Sequence, residues 1–306
     1  MVPSIRQLRY LVALAEEEHF GRAADKCFVT QSTLSASIQE LEEILGAVLF
    51  ERTKRSVMIT QLGRDTTARA RAVLQGVDDL VEHARAERDP LSGGLSLGAI
   101  PTIGPFLLPR VLPALRASYP SLTLYLREDQ TARLLEQVRA GDLDAALIAL
   151  PWETDGLSVQ EVMLDRLWLA VPGAHALAGR KRIGRRDVDP SELILLEGGH
   201  CLRDHALGIC PVPQGRRRPN PNQRFQGTSL FTLAEMVANG LGATVLPELA
   251  IGSEVMPKTG VAFLPLRERQ ASRRVVLVWR KTSARKGEFR LLGHFLRNAL
   301  AESGAA

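Results

Sequence analysis

From residue 95 to the end of the chain, short apolar runs alternate with segments whose apolar residues recur every three or four positions. Compact apolar runs mark strands, and a period near 3.6 marks a helix. Strands are expected over residues 95–100, 122–127, 145–150, 162–171, 193–196, 243–246 and 275–279. Helices are expected over residues 107–118, 131–140, 229–239 and 288–301. Alternation of this kind predicts an α/β fold with largely parallel sheets. Two such units within one region imply two subdomains with a cleft between them.

The first 90 residues follow a different rule. Ile5, Leu8, Leu11, Val12 and Ala15 recur at helical spacing, which predicts a helix over residues 4–17. Residues 20–26 read as a second short helix, with Ala23 and Ala24 small enough for close packing. Phe28 and Val29 read as apolar plugs in a turn. Thr30 or Ser32 can cap a third helix reaching Leu45, buried through Leu34, Ile38, Leu41 and Leu45 and ended by Gly46. Two short helices around a tight turn form a helix-turn-helix pattern. Its outward side chains, Thr30, Gln31, Ser32, Thr33, Ser35 and Gln39, are short or amide-bearing groups suited to base edges or phosphates. A basic turn then joins two short apolar runs, 48–52 and 57–60, predicting a hairpin wing. Arg52, Lys54 and Arg55 are placed on it to meet phosphates or the minor groove. Thr60 caps a long helix to residue 88 whose seam of Val73, Val77, Leu80 and Ala84 predicts packing on a second copy of the chain. Asp89-Pro90-Leu91-Ser92-Gly93-Gly94 reads as a hinge.

The net charge of +5 invites a nucleic-acid reading, but its distribution does not carry one. Up to residue 90, acidic residues slightly outnumber basic ones. The excess lies in Arg180-Lys181-Arg182, Arg185-Arg186, Arg216-Arg217-Arg218 and Arg273-Arg274, where solvated surface is the plainer reading. Any DNA-binding expectation rests on the motif. Residues 211–221, rich in proline and arginine, read as an exposed loop. The sequence has no 18-residue apolar run and opens directly on a charged amphipathic pattern, so a cytoplasmic protein without a membrane span is expected.

Two of the three cysteines lie in Gly198-Gly199-His200-Cys201-Leu202-Arg203-Asp204-His205-Ala206-Leu207-Gly208-Ile209-Cys210. In a reducing compartment a static disulfide is not expected, which leaves a metal site or a transient redox bond. If the run between them is helical, a rise of roughly 1.5 Å per residue holds the two Cα atoms about 13 Å apart. A disulfide needs them within about 7 Å. The thiols can therefore bond only if the segment unwinds, which Gly198, Gly199 and Gly208 would ease. His200, Cys201, His205 and Cys210 form a formal two-Cys, two-His zinc set, but side chains of adjacent residues diverge and suit a tetrahedral site poorly. No metal and no cofactor are expected. Cys27 reads as a buried structural thiol.

The amino-terminal residues 8–15, Phe20-Gly21-Arg22-Ala23-Ala24, Thr30-Gln31-Ser32-Thr33-Leu34-Ser35, Leu41-Glu42-Glu43-Ile44-Leu45-Gly46 and Leu49-Phe50-Glu51-Arg52 together resemble the LysR-type transcriptional regulators. Ser32 departs from that pattern, which usually has proline there. The resemblance implies a winged helix-turn-helix domain (1–60), a linker or dimerisation helix and hinge (61–91), and a regulatory domain (92–306) of two periplasmic-binding-protein-like subdomains. The chain would cross twice between subdomain I (92–163 and 268–306) and subdomain II (164–267).

The cysteine segment, with Ile100-Pro101-Thr102-Ile103-Gly104-Pro105 and Asp129-Gln130-Thr131, resembles the peroxide-sensing, OxyR-type subgroup of that family. That resemblance implies that Cys201 is the peroxidatic cysteine and Cys210 the resolving one. Attack on peroxide needs a lowered thiol pKa, so a cation or helix terminus is expected close by, with His200, Arg203 and Arg274 as candidates. Thr102 and Thr131 would hold the peroxide and Asp204 would assist through a water. Implied partners are promoter DNA, hydrogen peroxide, thiol reductants, RNA polymerase and further copies of the chain as a dimer or tetramer. The expected function is a redox-switched DNA-binding regulator, an activator in the resembling subgroup, and not an enzyme. The alternative is a regulator whose cleft binds a small organic effector, with the cysteines incidental. A thiol peroxidase would have no need of the winged helix.

Overall fold

The computed structural model describes residues 2–52, 57–86, 89–209, 226–253, 256, 259–268 and 271–303, with the side chains of 52, 79, 81–86, 226 and 303 outside that description. The chain forms two compact units, Met1–Arg88 and Asp89–Ala306.

In the first unit, α1 (Ile5–Glu17) begins at a reciprocal cap. Gln7 N donates to Ser4 Oγ at 3.2 Å and Ser4 N donates to Gln7 Oε1 at 2.7 Å. α2 (Phe20–Lys26) is capped by His19 Nδ1. α3 (Gln31–Leu45) is capped by the Thr30 hydroxyl and ended by Gly46 at φ +64°. Leu11, Leu14, Leu34, Ile38 and Leu41 are fully buried between the three helices, each contributing roughly 1.5–3 kcal/mol by its removal from water. Leu45 is 41% exposed, so the stripe ends one turn earlier than its spacing predicts.

β1 (Phe50–Arg52) pairs antiparallel with β2 (Val57–Ile59), the expected wing; its turn, with Lys54 and Arg55, lies outside the described residues. Glu42 Oε1 accepts from Leu49 N and Phe50 N, which fixes the hairpin to α3. α4 (Gln61–Ala86) starts at Thr60, whose hydroxyl accepts from Gly63 N at 2.9 Å. A Cβ at Gly63 would lie 2.3 Å from Leu49 O, so glycine is what lets the helix start against the wing. Val73 and Leu80 are 49% and 72% exposed, leaving an apolar seam uncovered on the single chain.

The second unit runs β3 (Gly93–Ala99), α5 (Gly104–Ser118), β4 (Leu122–Glu128), α6 (Thr131–Ala140), β5 (Ala145–Leu150) and β6 (Leu157–Pro172). It continues with β7 (Leu195–Leu196), α7 (Cys201–Ile209), β8 (Gln226–Gly227), α8 (Leu230–Ala238) and β9 (Thr244–Pro247). β10 (Val261–Pro265), β11 (Ser272–Arg280) and α9 (Lys286–Ser303) complete it. Strand order is β10-β6-β11-β5-β3-β4, with β9 also on β6. The expectation of largely parallel sheets needs correction. β3 pairs parallel with β4 and β5, but β11 runs antiparallel to both β5 and β6, and β9 and β10 are antiparallel to β6. Apolar spacing shows which residues a strand buries; it does not encode strand direction, which here follows from the chain returning late through β11.

β6 is one sixteen-residue strand shared by two sheets. As far as Arg166 it pairs with β11; from Leu167 it pairs with β9, and from Trp168 also with β10. The crossing point carries a buried charge pair. Arg273 and Asp165 are opposite each other in the β11–β6 ladder, and both side chains are fully buried.

Candidate functional site

Gly199 sits at φ +91° immediately before α7. That conformation favours glycine, and a Cβ there would lie 2.5 Å from Gln130 Oε1 and push the Gln130 side chain aside. The turn places Cys201, at the first turn of α7 and 3% exposed, in a crevice with Ile100, Pro101, Thr102, Gln130, Thr131, Gly199 and His200. Thr102, Thr131, His200 and Cys201 therefore come together. The crevice has no room for a water-sized group as it stands, so a ligand in it requires its lining side chains to shift. Residues 202–209, expected to be helical, lie within α7, while Cys210 is outside the described residues.

The cation at this site is Arg273, not Arg274. Arg273 donates from Nη1 to Thr102 Oγ1 at 2.7 Å, from Nη2 to Thr102 O at 2.8 Å, and from Nε to Asp165 Oδ2 at 3.0 Å. Asp165 Oδ1 accepts from Leu249 N at 3.0 Å. The Arg274 side chain is 59% exposed and faces Glu161 at 4.0 Å. Side chains alternate across a strand, so adjacent arginines cannot share a face. Spacing could not have chosen between them, because Val275 and Val276, two residues after each, are both core positions. Of the other proposed cations, Arg203 is engaged elsewhere and His200 lines the crevice. Arg203 Nη1 donates to Leu196 O at 2.7 Å, and burial pushes the His200 pKa down, favouring its neutral form.

The expected lowering of the Cys201 pKa is overturned. Burial pushes the thiol up, and this outweighs the opposing field of Arg273 and the favourable placement of the Thr131 hydroxyl and the Leu202 N–H. The Thr131 hydroxyl is itself buried and has no partner at full hydrogen-bond geometry among the described residues. Asp204 is exposed and its charge also raises the thiol pKa. It lines a second cavity, of about 300 Å³, which Cys201 also borders, with Trp152, Arg185, His205 and Glu268. Because the folded-state pKa is raised, the folded protein holds the thiol proton to higher pH than the unfolded chain does. The contribution to stability falls as pH rises above the unfolded-state value. Alkylation of Cys201 in the native protein is expected to go on rising at pH values where a free cysteine peptide has levelled off. Coincident pH profiles, read by peptide mass spectrometry, would contradict this.

Sequence reasoning weighed His205 only as a zinc ligand and gave it no place in the fold. Its Nδ1 lies 2.7 Å from Cys201 O and its Nε2 2.9 Å from Leu150 O, so the ring ties the first turn of α7 to the end of β5.

On the first unit, Gln31, Ser32, Thr33 and Gln39 are exposed along α3, and Ser35 is half-buried. The Thr30 hydroxyl caps the helix, accepting from Thr33 N at 3.2 Å and lying 3.0 Å from Ser32 Oγ. Phe28 is no plug: it is 95% exposed at φ +56°, and Val29 packs inward alone. The Arg52 side chain and all of Lys54 lie outside the described residues. Cys27 is half-buried against the helical core. No helix among the described residues is long and apolar enough to cross a membrane.

The chain matches the bacterial regulatory helix-turn-helix protein, lysR family, over residues 5–64 and the LysR substrate binding domain over residues 88–301. It is 41% identical over 294 residues to the DNA-binding transcriptional dual regulator OxyR of Escherichia coli, covering 96% of this chain and 95% of that one. It is 42% identical over 300 residues to the HTH-type transcriptional regulator EstR of Acinetobacter baylyi, covering 98% of both. Among solved structures, a full-length OxyR variant from Pseudomonas aeruginosa superimposes with a TM-score of 0.78 at 34% identity, over 97% of this chain and 98% of that one.

Proposed function

Because the chain belongs to the LysR family of DNA-binding transcriptional regulators, we propose that it senses hydrogen peroxide through Cys201 and is switched by a reversible Cys201–Cys210 disulfide. The observation that carries the reading is the burial of Cys201 among Thr102, Thr131 and His200, with Arg273 donating to Thr102. Hydrogen peroxide-inducible genes activators, such as that of Dickeya chrysanthemi at 42% identity over 294 residues, support it.

The thiolate of Cys201 attacks one oxygen of peroxide; the O–O bond breaks and the other oxygen leaves, taking a proton to become water. The Thr102 and Thr131 hydroxyls would hold the peroxide. The sulfenic acid on Cys201 is then attacked by the Cys210 thiol, forming the S–S bond and releasing water. Cellular thiol reductants return the pair. Closing the bond requires α7 to unwind, which breaks the link from His205 to Leu150 O. The disulfide then holds an arrangement otherwise sparsely populated, and a two-state regulator reads that population as its output. Burial raises the Cys201 pKa in this arrangement, so its reactivity would depend on a shift of the lining side chains that makes room for peroxide.

The DNA-binding part would use Gln31, Ser32, Thr33, Ser35 and Gln39 at base edges, Thr30 as the helix cap, and Arg52 and Lys54 at phosphates, on a dimer or tetramer joined in part through the α4 seam. Arg52→Ala is expected to weaken promoter binding across sequences and to reduce the salt dependence by about one counterion. An unchanged salt slope in a binding titration would remove the wing from this role.

A second reading has its own observation: the cavity of about 300 Å³ beside α7 is of small-ligand size and combines Trp152 with charged side chains. Under it an organic effector would bind there and the response would persist without either cysteine. Peptide mapping after peroxide treatment separates the two readings: a Cys201–Cys210 linked peptide supports the first, and its absence in a protein still responding at its promoter supports the second.

A further inference from the structure

A groove of about 460 Å³ lies between the first residues of β6, the end of β11 and the outer face of α9. Lys281, Arg290 and Arg297 line it with His294, Ser158 and Gln160, and no carboxylate does. Positions 290, 294 and 297 fall on one helix face and spread along about 10 Å of its axis. Among the described residues, no carboxylate pairs with Lys281, Arg290 or His294. Arg297 donates to the backbone oxygen of Glu161, whose side chain faces Arg274 outside the groove. Surface cations without a carboxylate partner are common, and Lys281, Arg290 and Arg297 alone would not make a site.

The floor of the groove adds a second observation. Trp279, 3% exposed, lines it, and its indole N–H has no partner among the described residues. Gln160 Oε1 is also buried without a partner, while its Nε2 donates to Arg290 O at 3.3 Å. The amide reaches that position because residue 293 is glycine, where a Cβ would lie 2.6 Å from it. A buried donor and a buried acceptor left unpaired each cost free energy, and a native protein seldom keeps both without a reason.

We propose that this groove binds a small phosphate-bearing molecule. Phosphate oxygens would accept from Lys281, Arg290 and Arg297 at the surface of the groove, and the indole N–H and Gln160 Oε1, buried beneath it, would pair with the bound group once the Gln160 side chain turns aside. The second ionisation of a phosphate ester lies near pH ~6, so both forms are at hand near neutrality. The volume is within the range of small-molecule sites. The site is distinct from the Cys201 crevice, with which it shares no residue.

The probe is inorganic pyrophosphate, titrated into the full-length reduced protein by calorimetry at low salt. Saturable binding near one per chain is expected. Lys281→Gln with Arg290→Gln should weaken it at least tenfold, whereas Lys181→Gln with Arg182→Gln, an exposed pair away from the groove, should leave it unchanged. Absence of saturable binding overturns the proposal. So does equal weakening by both double variants, which would mean general charge attraction. Binding of polyglutamate, but not pyrophosphate, with the same dependence on Lys281 and Arg290 would instead make the groove a docking surface for an acidic chain.

Discussion

Replacing Arg273 with Met is expected to cost the regulatory unit about 3–5 kcal/mol, because it leaves the carboxylate of Asp165 buried without a cation. For a unit of this size that corresponds to a fall in Tm on the order of 10 °C. Such a loss alone would say little about reactivity. Asp165→Asn combined with Arg273→Met removes both charges and keeps an acceptor for Leu249 N–H. The pair should regain most of the lost stability and still react with peroxide at least about tenfold more slowly, since the cation that opposes the burial of Cys201 is gone. Stability and reactivity are read separately, by thermal unfolding and by stopped-flow oxidation. Recovery of both would reduce Arg273 to a structural role; recovery of neither would place its importance in the Thr102 contacts alone.

Cys201→Ser is expected to abolish the peroxide response, and Cys210→Ser to stall it at the sulfenic acid or at a mixed disulfide. The two variants differ because the first removes the nucleophile and the second only the thiol that traps its oxidised form. A dimedone-type label should appear on Cys201 in the second variant after micromolar peroxide and be absent from the first. Retention of a peroxide-dependent change in promoter contacts by Cys201→Ser would overturn the switch. Cys27 is half-buried against the helical core of the first unit, and labelling of Cys27 in the same peptide maps shows whether it takes any part.

Local chemistry determined much of this protein. Ser4, Thr30 and Thr60 are legible as helix starts because a cap is a contact within three residues of itself. The α3 stripe as far as Leu41, the wing strands and the helical run after Cys201 follow from periods and turn residues in the same way, whereas Leu91 and Ser92 of the expected hinge are buried in the second unit and Gly93 already begins β3. The grouping of Thr102, Thr131, His200 and Cys201 was reachable from resemblance, not from spacing, because three separate elements supply it.

Tertiary structure decided the rest. Strand direction in the main sheet depends on β11 inserting between β5 and β6, a pairing made across more than a hundred residues of chain. The choice of Arg273 over Arg274 depends on which face of β11 meets β6, where one residue of register exchanges a buried guanidinium for an exposed one. The protonation of Cys201 depends on how much solvent its neighbours exclude, and no motif records that. His205 shows the same limit: its partner, Leu150 O, is a backbone atom of a distant strand. A sequence names the groups a side chain can bond, and only the fold brings one of them within reach.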